Sequence, residues 1–179
     1  MKTFTIVVTS LFLLLNAAAA EDAAILQIRK EYQSIRQMLP TLKAESREPS
    51  EPSSEGGEVK AYRDKKGKIR LIRSALYFES GKEIEEYYYQ NDLLIFALYE
   101  EHRYNVPMNV TPETAKETGG QAFNPKKTAV TADRYYFSNG MMIRWLNAEK
   151  KAVEINSKEF RDAATNVLDS SDKLLAKFR

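Results

Sequence analysis

Three sets of side chains in this chain could do chemistry: one histidine, a run of glutamates and a run of tyrosines. His102 is the only histidine. It sits in Tyr99-Glu100-Glu101-His102-Arg103-Tyr104, near the end of a predicted strand. A metal ion there would need carboxylates to complete its ligand set, and no H-x-H or H-E-x-x-H pattern exists. As a general base it would need a serine nucleophile, and no G-x-S-x-G elbow is present. The reading is a solvated histidine at a strand end. The glutamates are Glu83, Glu85 and Glu86, with Lys82 beside them. A glycosidase needs two carboxyl groups ~5–10 Å apart. Strand spacing alone does not set that separation, and the run reads as a polar face. No residue is assigned a catalytic role, and no metal or cofactor is expected.

The tyrosines carry the binding hypothesis. Tyr87, Tyr88 and Tyr89 must project to both faces of a strand, because side chains alternate. Tyr135 and Tyr136 repeat the pattern, and Tyr99 and Tyr104 add to it. If one face is core, rings on the other are rigid amphipathic contacts for a protein or a sugar. The competing reading has equal weight: strands favour tyrosine anyway, and a helix covers the second face. Alanine at Tyr135 and at Tyr136 separates the two, since an exposed ring can be lost without loss of stability.

These residues need elements to hold them. Val59 to Leu146 alternates apolar and polar residues, is rich in aromatic and β-branched types, and is punctuated by turn signals. Strands are predicted at 59–63, 68–78, 82–89, 93–104, 129–137 and 141–146. Ser138-Asn139-Gly140 joins the last two, and Asn-Gly is a strong hairpin signal. Tyr87 to Leu98 aligns without gaps on Tyr135 to Leu146, and Tyr62 to Ile69 is a fainter third copy. Each copy reads aromatic strand, polar turn, apolar strand. Repeated hairpins laid edge to edge make an antiparallel meander.

Helices flank this body. Ile25, Ile28, Tyr32, Ile35 and Leu39 recur at steps of three and four, predicting an amphipathic helix from Ala23 to Leu42 that Pro40 ends or bends. Asn156 to Phe178 predicts a closing helix with Phe160, Ala164, Val167, Ser171, Leu174 and Phe178 on one face. Asn156 and Glu159 sit at capping-box spacing. The expected fold is α+β: a single antiparallel sheet of about six strands with an N-terminal and a C-terminal helix against it. Residues 44–58, AESREPSEPSSEGGE, read as a flexible linker. Residues 105–128, with three prolines and two adjacent glycines, read as a long connection of functional character. They include Asn109-Val110-Thr111, a glycosylation sequon that the chain is not expected to use.

Residues 1–20 give an address. Lys2, an apolar run from Phe4 to Leu15 and Ala17-Ala18-Ala19-Ala20 form the three-part layout of a secretory signal, cut between Ala20 and Glu21. The mature product is expected in the periplasm or secreted. The chain has no cysteine. That excludes a disulfide framework, a thiol nucleophile, cysteine-ligated zinc and a lipid anchor on cysteine. No stable membrane anchor is expected after cleavage. The net charge is +2, one less once Lys2 leaves. So small a charge gives no field for nucleic acid. Locally, Lys60, Arg63, Lys65, Lys66, Lys68, Arg70 and Arg73 precede Glu79, Glu83, Glu85 and Glu86. Opposite charges across a hairpin are the simplest account.

The Tyr135-Tyr136-Phe137-Ser138-Asn139-Gly140 hairpin, with Glu86-Tyr87-Tyr88-Tyr89 and Leu94-Ile95-Phe96, resembles small exported proteins of unknown function from Gram-negative bacteria. The resemblance implies a periplasmic address and brings no catalytic residues. Three functional readings remain. The first is a non-catalytic binding or interaction module of the envelope, possible partners being an envelope protein or a glycan, with an inhibitor of a hydrolase as one version. The second is a carboxylate-dependent hydrolase of envelope glycan. The third is a structural or stress protein of the envelope.

Overall fold

The computed structural model describes residues 4–49 and 53–179, the side chains of 4–20 excepted. The expected signal segment and its cleavage point at Ala20 therefore lie outside the described side chains. Helix α1 (Phe4–Met38) is followed by a 3-10 turn (Leu39–Thr41) that holds Pro40. Seven strands come next: β1 (Lys43–Arg47), β2 (Gly57–Arg63), β3 (Ile69–Phe78), β4 (Gly81–Gln90), β5 (Leu93–Arg103), β6 (Ala129–Ser138) and β7 (Met141–Leu146). A short helix α2 (Pro112–Thr118) lies between β5 and β6, and α3 (Lys158–Ala176) closes the chain. The strands form one sheet in the order β1-β2-β3-β4-β5-β6-β7, every pair antiparallel. The fold is α+β, a sequential meander with a helix on each face.

Six strands follow the alternation in the sequence; the seventh, β1, does not. It comes from the segment expected to be linker, and Lys43 to Arg47 pairs residue by residue with Arg63 to Val59. Its side chains are almost all exposed, so no apolar alternation marks it. An edge strand needs only backbone partners on one side, and charged side chains discourage pairing on the other.

The internal repeat is a structural one. The register slips at Tyr62/Arg63, at Tyr88/Tyr89 and at Tyr136/Phe137, which are equivalent positions of the three hairpins. In each, two residues oppose one tyrosine: Arg70 and Leu71 face Tyr62, Ile95 and Phe96 face Tyr88, and Ile143 and Arg144 face Tyr136. A β-bulge of this kind turns two consecutive side chains toward one face. Ile95 and Phe96 thus both join the core under α1, while Leu94 and Ala97 join the core under α3. The bulge accounts for an apolar run, Leu94 to Ala97, that breaks simple alternation. The turns after β4 and β6 place Asn91, Asp92, Asn139 and Gly140 at positive φ, as a two-residue hairpin loop requires. Gly81 meets a different demand: a Cβ there would lie 2.2 Å from the His102 carbonyl oxygen.

α1 buries Ile25, Ile28 and Ile35 against Leu71, Tyr88, Phe96 and Tyr136. Tyr32 fits edge-on between Tyr88 and Phe96, with ring centroids 4.9 and 5.2 Å away. Two arginines presented at the bulges tie down the helix: Arg70 pairs with Glu31, and Arg144 reaches Glu21 at 2.9 Å and Asp22 at 3.0 Å. α3 lies on the opposite face, with Phe160 and Phe178 in a core that contains Val59, Ile72, Tyr87, Tyr89, Phe137 and Trp145. Ser171 is polar in that core because the Tyr89 hydroxyl bonds it at 2.9 Å. The helix start differs from the capping-box expectation. Ser157, not Asn156, is the N-cap, and its side chain accepts the Phe160 N–H at 3.0 Å.

The 105–128 connection is ordered. The amides of Tyr104 and Met108 donate to the Ser80 and Glu79 carbonyls across the β3–β4 turn. The Asn105 side chain bridges the Ala122 carbonyl (3.0 Å) and the Asn124 amide (2.9 Å). Thr111, the third residue of the sequon, caps α2.

Candidate functional site

The expectation of an exposed aromatic face is corrected by burial. Tyr87, Tyr88, Tyr89 and Tyr136 are each at most 4% exposed. Tyr87 and Tyr89 face α3, while Tyr88 and Tyr136 face α1. Tyr135 packs at the edge of the α3-side core, stacked on Trp145 at 5.5 Å. Both faces of the hairpins are covered, so these rings are core. Burial pushes the hydroxyls of Tyr87, Tyr88, Tyr89 and Tyr135 far above their ordinary range. Tyr104 is half-buried against Phe123 at 5.1 Å. Tyr99 borders a cleft on the α3 side together with Tyr87 and Tyr135.

That cleft continues between α3 and strands β2 to β4. α3 covers the end of the sheet near the 64–67 and 91–92 turns and leaves part of β2, β3 and β4 uncovered beside it. A cavity of about 500 Å³ results. Val59, Leu76 and Leu174 make its apolar wall, Glu83 and Glu85 its floor, and Lys173 and Lys177 its rim. A smaller cavity of about 130 Å³ continues it, sharing Glu85 and Ser170 and adding Tyr99 and Asn166. The volume lies within the range of small-molecule sites, ~300–1,000 Å³.

The floor is acidic, and one of its carboxylates faces another across β4 and β5. Glu83 stands opposite Glu101, and Glu85 opposite Tyr99, all on the α3 side. Directly opposed like charges destabilise a sheet. Here part of that cost is met by neighbours: Arg103 binds Glu101 at 2.6 Å, and the Tyr87 hydroxyl donates to Glu85 at 3.1 Å. Tyr99 feels the same field. Burial first, then Glu83, Glu101 and Glu85, push its hydroxyl up to about 12. On the rim, Lys177 donates to the Glu48 carbonyl at 2.9 Å.

The acids singled out in the sequence do not act as one group. Glu83 and Glu85 share the cleft, with α-carbons roughly 7 Å apart by strand geometry. Glu86 points the other way, under α1, and is 6% exposed. It accepts from the Tyr88 hydroxyl at 2.5 Å and meets Arg36 at 3.3 Å and Arg73 at 3.6 Å. The Arg73–Glu86 contact is the cross-hairpin pairing that the charge pattern suggested. The other basic residues find different acids, such as Lys60 with Glu58 and Arg63 with Glu45. His102 is half-buried and lies 3.2 Å from Glu100, two residues back on the same face. Among the described residues no three histidine or acidic side chains converge to hold a metal.

The α3 contribution to the cleft was not visible in the sequence. Ser170, Lys173 and Lys177 lie off the one face that the sequence marks on this helix. The docking of α3 on the sheet sets them at the cleft. Among the described residues no helix is long and apolar enough to cross a membrane. No protein-family model matches the chain, and neither a curated protein nor a solved structure matches it.

Proposed function

We propose that this protein is an exported, non-catalytic binding module of the envelope that takes a small amphipathic ligand into the cleft beside α3. The observation that carries the reading is the cleft's lining: a 500 Å³ cavity with an apolar wall, two carboxylates on its floor and two ammonium groups at its rim. Few convergent polar groups on a mostly apolar surface are the usual make-up of a ligand site. The ligand's apolar body lies on Val59, Leu76 and Leu174, and its cationic group lies toward Glu83 and Glu85. The leader-like residues 1–20 support export. The buried Tyr87, Tyr88 and Tyr89 serve the core.

An alkylamine and the alcohol of equal chain length test the reading. The amine should perturb backbone amide resonances at 83–85, 99 and 170–177 in a saturable way, and the alcohol should bind more weakly. Glu83→Gln with Glu85→Gln should remove that preference. Perturbation elsewhere, or equal binding of amine and alcohol, would sink the proposal.

The second reading, a carboxylate hydrolase acting on envelope glycan, rests on Glu83 and Glu85 sharing that cleft. It requires glycan cleavage that either substitution abolishes.

A further inference from the structure

A second cavity lies on the other face of the sheet, between α1 and the β5–β6 pair, with a volume of about 280 Å³. Its lining differs in kind from that of the α3 cleft. Tyr32, Phe96 and Tyr136 supply aromatic walls, and Arg29 and Arg134 supply two guanidinium groups. Arg36, Arg63, Arg70, Arg73 and Arg144 each reach a carboxylate. Among the described residues, Arg29 and Arg134 reach none. Arg29 is held over the Tyr136 ring, 5.8 Å from its centroid. Arg134 spends one donor on the Ala132 carbonyl at 2.9 Å. A guanidinium has five donors in a planar fork, so most of both forks stay unspent. The one acid in the lining, Glu100, has a partner in His102.

We propose that this cleft binds a small organic anion whose oxygens lie between Arg29 and Arg134 and whose apolar portion lies against Tyr32, Phe96 and Tyr136. Guanidinium forks match phosphate and carboxylate oxygens in pairs, which a lysine does not do. The aromatic walls add contact for a ring or short chain. The size of the cavity limits the occupant to about one ring and one charged group, being near the lower end of ligand sites at ~300 Å³. This site is separate from the α3 cleft and favours the opposite charge.

Phenyl phosphate, benzoate and inorganic phosphate are the probes, titrated into the whole protein and read by amide resonances. Phenyl phosphate or benzoate should saturate, with shifts confined to 28–33, 96–100 and 134–136, and inorganic phosphate should bind more weakly. Which organic probe binds tighter assigns the anion as phosphate ester or carboxylate. Arg134→Gln should weaken binding about tenfold, the equivalent of one charge-assisted pair. Glu100→Gln should tighten it, and this variant leaves both guanidiniums in place should Arg134→Gln fail to fold. Absence of saturation at millimolar probe, shifts outside these segments, or unchanged affinity in both variants would overturn the inference.

Discussion

At the scale of single residues, the adjacent tyrosines show how alternation distributes aromatic mass between two cores. Tyr136 lies 5.1 Å from Phe96 under α1, and Tyr135 stacks on Trp145 under α3. The indole N–H in turn donates to Asp133 at 3.1 Å. Removing either ring leaves a cavity, because the helices on both faces cannot collapse into it fully. Tyr136→Ala should cost about 3–4 kcal/mol and Tyr135→Ala, at a partly buried site, about 2–3 kcal/mol. Denaturant titration of both variants checks this. A Tyr135→Ala protein as stable as the parent would mean that α3 does not pack there. Glu86 belongs to the same scale. It is a buried carboxylate made tolerable by three donors, and its role is to fix α1 on the sheet through Arg36.

Elements are set by a few local signals of unequal legibility. The Asn-Gly turn and the apolar steps of α1 and α3 can be read from residue types. The start of α3 could be read only to within a residue, since Asn156 and Ser157 are both good caps. The structure gives the role to Ser157. Ser157→Ala should therefore destabilise the protein by about 1 kcal/mol, and Asn156→Ala should change stability by less than about 0.5 kcal/mol. Thermal melts of the two variants decide the assignment, and the reverse order would return the cap to Asn156. The bulges after Tyr62, Tyr88 and Tyr136 had only an indirect signal, the unbroken run Leu94 to Ala97. β1 had none, because an edge strand's backbone pairing leaves no mark on side-chain type.

The whole molecule buries several of its tyrosines, and this has a consequence in alkali. The hydroxyls of Tyr87, Tyr88, Tyr89, Tyr99 and Tyr135 all titrate above their unfolded value of ~10 in the folded protein. A raised folded-state pKa adds stability that is fully present below the unfolded pKa. That stability is lost as pH climbs toward the folded value. The protein should thus hold its stability to about pH 10 and lose it steeply above, toward the value of about 12 reached by Tyr99. Tyrosinate absorbance and circular dichroism followed together check this. Apart from the exposed Tyr77, the two should change in one transition, whereas most of the tyrosinate appearing well before unfolding would mean that the buried rings are open to water.

What the sequence determined by itself is local and periodic. Alternation placed six strands and their hairpins within a residue or two, the repeat announced a meander, and the apolar steps produced two amphipathic helices. Each follows from a period that residue types display directly. Tertiary structure decided what covers what. Tyr87 to Tyr89 and Tyr136 could have faced solvent or helix with the same sequence, and only the docking of α1 and α3 on opposite faces buried them. The cleft arises the same way. Glu83 and Glu85 come from one strand, Lys173 and Lys177 from a helix far along the chain. They meet because α3 docks on this face of the sheet beside β4. That docking follows from side-chain packing summed over a whole interface, which no short pattern encodes.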